Sequence, residues 1–447
     1  MEHLAALSPM RAMTTERNGS AAGDDPAGGG LFANRDFVRL FTAQLASLLG
    51  SGVTSVALAA FAYRLAGTNA TVVVGTALTL RILAFVLVSP VAGVLADRVD
   101  RKRMLVMADL LRFALLGVFP FITQVWQVYG LIFLVNAVTA FFTPTFEAAL
   151  PEVVGPRLYT RAVSLSRVAV DLEAAGGPLV AGVLIAWVGV QWTFWFDSLT
   201  YLVSAGLVLA SRVPRAAPPT ERFPWRDFVP QVTYGTRVLL RVPALRQALL
   251  LHFAEAAAGA VVIVTTVAYV RDELGRGDAA FAWSMAAVGL GSSLTALLLA
   301  RRAERARRDA DPARAHLRYH GWAERTLLIG GGFLAMSLLP GILVPGFVLL
   351  LLLWALNGAG QAMVSIPSVG LLAEHTTPEE RGRAYAAHFA LTHLFWLVTY
   401  PAAGYGAREF GTPVAFTAAG ITCILVTAGA WTMRRPHHAH KLVSESS

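Results

Sequence analysis

Long apolar stretches alternate with short polar segments along most of the chain. Residues 40–63, 113–135, 174–196 and 347–373 each run without a charged side chain. A bilayer core about 30 Å thick needs about 20 helical residues to cross it. Backbone groups in lipid must be satisfied within the chain, so such stretches fold as helices. We therefore predict twelve membrane-spanning helices, at residues 37–64, 70–96, 104–125, 128–150, 161–187, 190–211, 246–270, 279–300, 326–341, 345–373, 383–406 and 411–433.

The basic residues of the loops indicate the orientation of these spans. Arginine and lysine concentrate between spans two and three, after span four, between spans eight and nine, and after span ten. The alternate loops are poorer in basic residues, with Arg64, Arg271, Arg276 and Arg408 as exceptions. Short loops rich in arginine and lysine stay in the cytoplasm. We therefore predict a multi-pass protein of the cell inner (plasma) membrane with both termini cytoplasmic.

The predicted fold class is an all-α polytopic membrane protein, with twelve transmembrane helices in two pseudo-symmetric six-helix bundles. A segment rich in proline and arginine joins the bundles, and residues 231–246 within it predict an amphipathic helix on the membrane surface. The predicted parts are a disordered cytoplasmic tail at 1–33, an N-terminal bundle at 34–211, a cytoplasmic linker at 212–245, a C-terminal bundle at 246–433 and a cytoplasmic tail at 434–447.

The two predicted bundles repeat one another in sequence. A shift of 222 residues places Glu152 on Glu374 and Arg161 on Arg383, and it also aligns Leu150 with Leu372 and Pro156 with Pro378. Many secondary transporters are built from repeated halves, with the solute site near the midplane between them. The repeat therefore indicates a transporter.

Composition narrows the class of protein further. Apolar residues make up 55% of the chain and charged residues 15%, against about 25% charged residues in soluble domains. The net charge of +9 comes mainly from the loops, so it indicates topology and not a nucleic-acid partner. The single cysteine, Cys423, allows no disulfide within the chain. No phosphate-binding GxxxxGK[ST] loop is present, so we expect no cofactor, and we expect the energy for transport to come from an ion gradient or from a partner.

The loop between spans two and three carries the most specific motif, GVLADRVDRKR at residues 93–103. It resembles the signature loop of the major facilitator superfamily, GxxxDRxxRKR. The resemblance implies that the loop latches one conformation of a transporter, a role that falls on Asp97, Arg98 and Arg101 within the matched residues. The matched residues are Gly93, Asp97, Arg98, Arg101, Lys102 and Arg103. The second bundle has no such motif at the equivalent place, where it reads ARRAERARRDADPARAH.

A second motif indicates the direction of transport. Span five contains AAGGPLVAGVL, in which Gly177, Pro178 and Gly182 resemble the antiporter motif of exporters in this superfamily. Small residues allow close helix packing, and proline bends a helix. The opening LFANRDFVRLFTAQLASLLGSG is similar to the exporter branch that contains macrolide, drug and siderophore efflux proteins. The resemblance therefore implies efflux of small organic compounds by a protein that we expect to be monomeric.

Charged residues within the predicted spans are candidates for coupling transport to protons, because charge inside a membrane is costly. Asp171 and Glu173 lie about ten residues into span five, roughly 15 Å deep. We expect one of them to be the proton carrier, with Glu255 in reserve and Arg81 as the cation that holds the acid ionised. The alternative role for such charges is an internal ion pair, for example Asp109 with Arg112.

Histidines offer a second candidate solute. His388 and His393 lie five apart at the start of span eleven, and imidazole is a common ligand of nickel and cobalt. The alternative function is therefore export of a divalent metal, although polar histidines satisfied inside the bundle explain the same residues. A membrane-embedded enzyme would need a metal motif such as HExxH or a clustered nucleophile and base, and the sequence has neither. A channel or sensor is disfavoured by the repeat and the signature loop.

Overall fold

The structure is a computed structural model that describes residues 31–96, 99–213, 225–307, 312–344 and 346–433. Within these ranges the regular elements are all helical. The α-helices are α1 (Arg35–Ala66), α2 (Ala70–Ala96), α3 (Arg101–Gly117), α4 (Val125–Val188), α5 (Val190–Ala210), α6 (Trp225–Arg241), α7 (Pro243–Ala268), α8 (Asp278–Arg307), α9 (Pro312–Leu338), α10 (Phe347–Glu374), α11 (Pro378–Phe410) and α12 (Thr412–Thr432).

Most helices follow the predicted spans within a few residues, but α9 begins 14 residues before predicted span nine. Predicted spans four and five adjoin within α4, which non-helical backbone at Gly155 divides into two helical arms, with φ at +72°. Residues with a side chain rarely adopt that backbone conformation, whereas glycine adopts it readily. The predicted loop between the two spans is therefore reduced to a sharp bend at one glycine between two helical arms.

The predicted amphipathic helix of the linker is present but shifted. It runs over Trp225–Arg241 as α6, and it ends there because α7 begins at Pro243. Proline suits the first turn of a helix, where its missing N–H would have no partner. The structure thus contains a surface-type helix between the two halves, followed at once by the first helix of the second half.

Nine stretches of the described residues are long and apolar enough to cross a bilayer. The first of them, Arg35–Val88, holds α1 and most of α2. The arm of α4 after Gly155 and helix α11 are not among the nine. The fold is therefore that of a multi-pass membrane protein, while the count of twelve crossings stays a prediction.

The helix boundaries of the two halves repeat at a constant interval. Adding 222 to the bounds of α5 gives those of α12, and adding it to the bounds of α4 gives the start of α10 and the end of α11. Gly189 and Gly411, also 222 apart, both separate two helices with φ near +84°, at +83° and +85°. Their ψ values are 161° and 155°, in a region almost confined to glycine. The sequence interval seen around Glu152 and Glu374 thus recurs in the backbone.

Contacts between the halves gather at the end of the molecule where α1 ends and α2 begins, here called the distal end. The Tyr63 hydroxyl near the end of α1 donates to Asp272, which follows α7. The Thr71 hydroxyl at the start of α2 donates to the carbonyl of Gly404 near the end of α11, at 3.2 Å. These hydrogen bonds join the halves at the distal end.

Candidate functional site

The interior of the N-terminal half contains two of the predicted coupling residues, a cation and an acid. Arg81 lies near the middle of α2, and its guanidinium donates to the Ser55 hydroxyl of α1 at 3.0 Å. Its charge also acts on Glu173, which is half-buried near the middle of the second arm of α4. The two predicted partners are therefore brought together. The Asp171 side chain lies outside the described residues.

A second charged group in this half has a structural role. Arg112 and Asp109 of α3 form a fully buried ion pair, 1% and 0% exposed. Ser204 of α5 donates to Asp109 at 2.7 Å, and the Arg112 guanidinium lies over the ring of Tyr201, 4.2 Å from its centroid. With its charges paired and hydrogen-bonded, this group ties α3 to α5. This group is the internal ion pair that the sequence predicted as the alternative to a coupling role.

The interior of the C-terminal half holds a second acid with polar partners from three helices. Glu255 of α7 accepts a hydrogen bond from the Ser365 hydroxyl of α10 at 2.7 Å. Its other oxygen lies 2.6 Å from Nδ1 of His252, one turn away on the same helix. The His388 ring of α11 packs edge-on against His252, with centroids 4.8 Å apart. The result is a carboxylate paired with one imidazole, against which a second imidazole packs.

The two clusters approach each other where α2 packs against α11. The charge of Arg81 acts on His393 and on Tyr400, both of α11. His393 is close enough to His388 for the two rings to interact electrostatically. A chain of titratable groups therefore extends from Glu173 through Arg81 and the α11 histidines to Glu255.

The predicted metal ligands do not form a metal site within the part of the chain that the structure describes. There, no group of three or more His, Cys, Asp or Glu side chains is arranged to hold an ion. His393 bonds the carbonyl of Phe389 through Nδ1 at 2.8 Å, and it stacks on that ring. His393 thus has partners of the kind expected for a histidine satisfied inside a bundle, whereas the buried Nε2 of His388 has no hydrogen-bond partner among the described residues.

The signature loop is described in part. Asp97 and Arg98 lie outside the described residues, and Gly93 lies in the last turn of α2. Arg101 begins α3 and forms an ion pair with Glu152, just before the kink of α4. Lys102 donates to the carbonyl of Ser211 at 2.8 Å, and Arg103 donates its backbone N–H to Asp100 at 3.0 Å. The loop residues therefore connect α3 to the kink of α4 and to the end of α5.

The antiporter-type motif lies at two close helix crossings. A Cβ on Gly177 would sit 2.7 Å from the Cα of Gly52, so α4 and α1 touch backbone to backbone. A Cβ on Gly182 would meet Ala282 of α8 at 3.2 Å, across the boundary between the halves. The Pro178 side chain lies outside the described residues. The motif therefore places α4 against both its own half and the opposite half.

Three functional partners escaped the sequence reasoning. His252, Ser365 and Tyr400 surround the predicted residues, but they come from different helices whose packing the sequence does not reveal. The pair His252 and Glu255 could have been found, because a spacing of three on a helix places side chains side by side. Ser365 and Tyr400 had no such signal.

The helical fold, with nine described stretches long and apolar enough to cross a bilayer, defines a multi-pass membrane protein. A family model described as transmembrane secretion effector, one of the major facilitator superfamily models, matches residues 30–370. The chain belongs to this family of major facilitator superfamily transporters, and it is not an enzyme.

Similar proteins in bacteria agree with this assignment. The chain is 26% identical over 360 residues to the uncharacterized MFS-type transporter YfiS of Bacillus subtilis, covering 78% of this chain and 81% of that protein. It is 27% identical over 184 residues to macrolide efflux protein A of Streptococcus pyogenes, covering 40% of this chain and 45% of that protein. The resemblance to the exporter branch is thus supported over part of the chain.

Solved transporters share the fold at low sequence identity. A bacterial homologue of the human lysosomal transporter Spinster, in an inward-facing and unoccupied conformation, matches with a TM-score of 0.67 and 13% identity, over 91% of this chain and 98% of that one. The nucleoside transporter NupG matches with a TM-score of 0.67 and 12% identity, over 90% and 100%. These likenesses establish the fold alone.

Proposed function

We propose that the protein is a twelve-span secondary transporter that exports small organic compounds in exchange for protons. One observation carries the proposal, namely the two half-buried carboxylates, Glu173 and Glu255, near the middle of long helices. One carboxylate belongs to each half, and Arg81 and the α11 histidines lie between them. An acid at membrane depth is retained where it binds a solute or moves a proton.

Two further observations support a two-bundle arrangement with twelve crossings. The 222-residue interval relates α4 and α5 to α10, α11 and α12. The kink at Gly155 divides the 64 residues of α4 into two arms, each long enough to span. Reporter fusions after predicted spans two, four, six and eight should all score cytoplasmic, because the basic residues concentrate there. Two external readings among the four would contradict the topology.

The contacts at the distal end support an alternating-access cycle. Tyr63, Asp272, Thr71 and Gly404 hold the halves together there, where the proposed topology places the outer face. In this arrangement the site between the halves is closed toward the outside. Separation of these contacts would open it outward, by rocking of one bundle against the other.

Efflux of a drug-like compound is supported by the partial match to macrolide efflux protein A and by the antiporter-type motif at Gly177 and Gly182. The test is a growth screen of a deletion strain and a complemented strain against macrolides, other organic drugs, nickel and cobalt. Increased sensitivity of the deletion strain to organic compounds alone is expected. Sensitivity to nickel or cobalt alone would instead support metal export, with His388 and His393 as the candidate ligands.

A further inference from the structure

A basic cleft opens on the side of the C-terminal half, near the end of α8 and the start of α9. Its volume is about 690 Å³, within the range of about 300–1,000 Å³ typical of ligand pockets. Helix α10 packs against both α8 and α9, and Met363 of α10 lies at the base of the cleft. The cleft lies apart from the charged clusters between the halves.

The walls of the cleft combine cations with apolar side chains. Arg302 and Arg305 lie on one face of α8, and Arg318, Trp322 and Arg325 follow at helical spacing on α9. Among its described lining residues no acid is present. The cleft therefore concentrates positive charge.

The apolar part of the same walls faces outward. Leu317 and Ile329 of α9 are 55% and 50% exposed, and Leu299 and Met363 complete the apolar lining. Exposed aliphatic side chains on a membrane-spanning helix face lipid chains. The cleft is thus open to the bilayer and amphipathic, with arginines beside apolar side chains.

Arg325 is an exposed cation at the edge of the bilayer-spanning part of α9. The helix begins at Pro312, and Arg325 directly precedes the apolar residues of predicted span nine, which starts at residue 326. Arg325 is exposed and forms no hydrogen bond or ion pair within the described part of the chain. A cation on a membrane helix is costly unless it reaches the interface or gains an anionic partner.

We propose that this cleft binds the headgroup phosphate of an anionic phospholipid from the surrounding bilayer, through Arg302, Arg305 and Arg325. The acyl chains would lie against Leu317 and Ile329, and Trp322 suits the interface between headgroup and chains. A zwitterionic headgroup carries its own cation beside the phosphate, so the cluster of arginines favours a headgroup with net negative charge. Guanidinium groups match phosphate oxygens with paired hydrogen bonds.

Native mass spectrometry of the full-length protein in detergent tests the proposal. Phosphatidylglycerol should bind saturably and at least about tenfold more tightly than phosphatidylcholine. Arg325→Gln and Arg302→Gln should each weaken phosphatidylglycerol binding by about fivefold, the contribution of one arginine near an anionic lipid surface. Arg305→Gln replaces either variant if that variant loses its monodisperse elution.

Arg301→Gln is the matched control, because Arg301 is also exposed on α8 and next to Arg302 but does not line the cleft. It should bind phosphatidylglycerol as the unchanged protein does. Equal losses in Arg301→Gln and Arg302→Gln would show a diffuse surface charge effect and overturn the proposal. Displacement of the lipid by an equal concentration of glycerol 3-phosphate would show a site for soluble phosphate, and would overturn it as well.

Discussion

Arg101 and Arg103 lie two residues apart in the signature loop, yet their surroundings differ. Arg101 is 9% exposed and forms an ion pair with Glu152. Arg103 is exposed and contributes its backbone N–H to the cap of α3. We propose that the Arg101–Glu152 pair belongs to the conformational latch and that the Arg103 side chain is dispensable.

Substitutions of these arginines should separate the two roles. Arg101→Gln should lower the transport rate about tenfold, which corresponds to about 1.4 kcal/mol, because Glu152 loses the cation that ties α4 to α3. Glu152→Gln should have a similar effect, while Arg103→Gln should transport normally. The measurement is transport of a compound from the growth screen, at matched amounts of inserted protein. Equal effects of Arg101→Gln and Arg103→Gln would show that the loop acts only through its total charge.

At the residue scale, the candidate coupling residues found from the sequence are those that carry a charge. Glu173, Glu255 and Arg81 stood out because ionised groups are rare in apolar stretches, and the structure gives each of them polar or charged partners. Ser365 and Tyr400 could not be found in this way, because neither is unusual in a membrane helix. Their contacts arise only from the packing of α10 against α7 and of α11 against α2.

At the scale of helices, α4 packs closely against α1 through Gly177 but not through the adjacent Gly176. A Cβ on Gly177 would meet the backbone of Gly52 at 2.7 Å, whereas a Cβ on Gly176 would meet nothing within 4 Å. Gly177 is therefore a packing position between α4 and α1, and Gly176 provides a control in the same turn.

Alanine substitutions of the two glycines should differ in stability. Gly177→Ala should destabilise the protein by about 1–3 kcal/mol, the usual cost of overpacking, because α1 must move away from α4. Gly176→Ala should be neutral or slightly stabilising, since alanine favours helix more than glycine does. Thermal unfolding in the same detergent provides the comparison. Equal melting temperatures for the two variants would contradict the close crossing.

The contacts at the distal end make a second prediction for helices. Tyr63→Phe removes the hydrogen bond from α1 to Asp272. A hydrogen bond at an exposed position should stabilise the closed distal end by about 1 kcal/mol. The population open at the distal end should then rise about fivefold, measured by spin-label distances between α1 and α7. Tyr405→Phe, an exposed tyrosine of α11, should leave the distances unchanged. A Tyr63→Phe distribution identical to that of the unchanged protein would show that this bond does not hold the gate.

The sequence predicted the helices of the fold better than their continuity. Apolar length placed α2 at its observed bounds and most other helices within a few residues, because a bilayer sets the length of each element. The join of spans four and five into α4 could not be predicted, since polar residues near Gly155 indicate a loop and a kinked helix equally well. The start of α6 at Trp225 was missed because the apolar pattern there is weak.

At the scale of the whole molecule, we propose two repeated bundles with a carboxylate in each. Glu173 lies beside Arg81 in the N-terminal half, and Glu255 lies beside His252 in the C-terminal half. The α11 histidines stand between them, so binding or loss of a proton in one half can influence the other through charge. We therefore expect coupling to depend on both acids, although only one of them need carry the transported proton.

The most direct test compares proton-driven transport with solute exchange in proteoliposomes. The solute is a compound to which the protein confers resistance, with a radiolabelled macrolide as the first probe. The unchanged protein should accumulate it when a pH gradient is imposed. Glu173→Gln and Glu255→Gln should abolish that accumulation yet still exchange labelled for unlabelled solute down its gradient, because a neutral amide cannot release a proton. Full pH-driven accumulation by both variants would contradict the account and place the coupling site elsewhere.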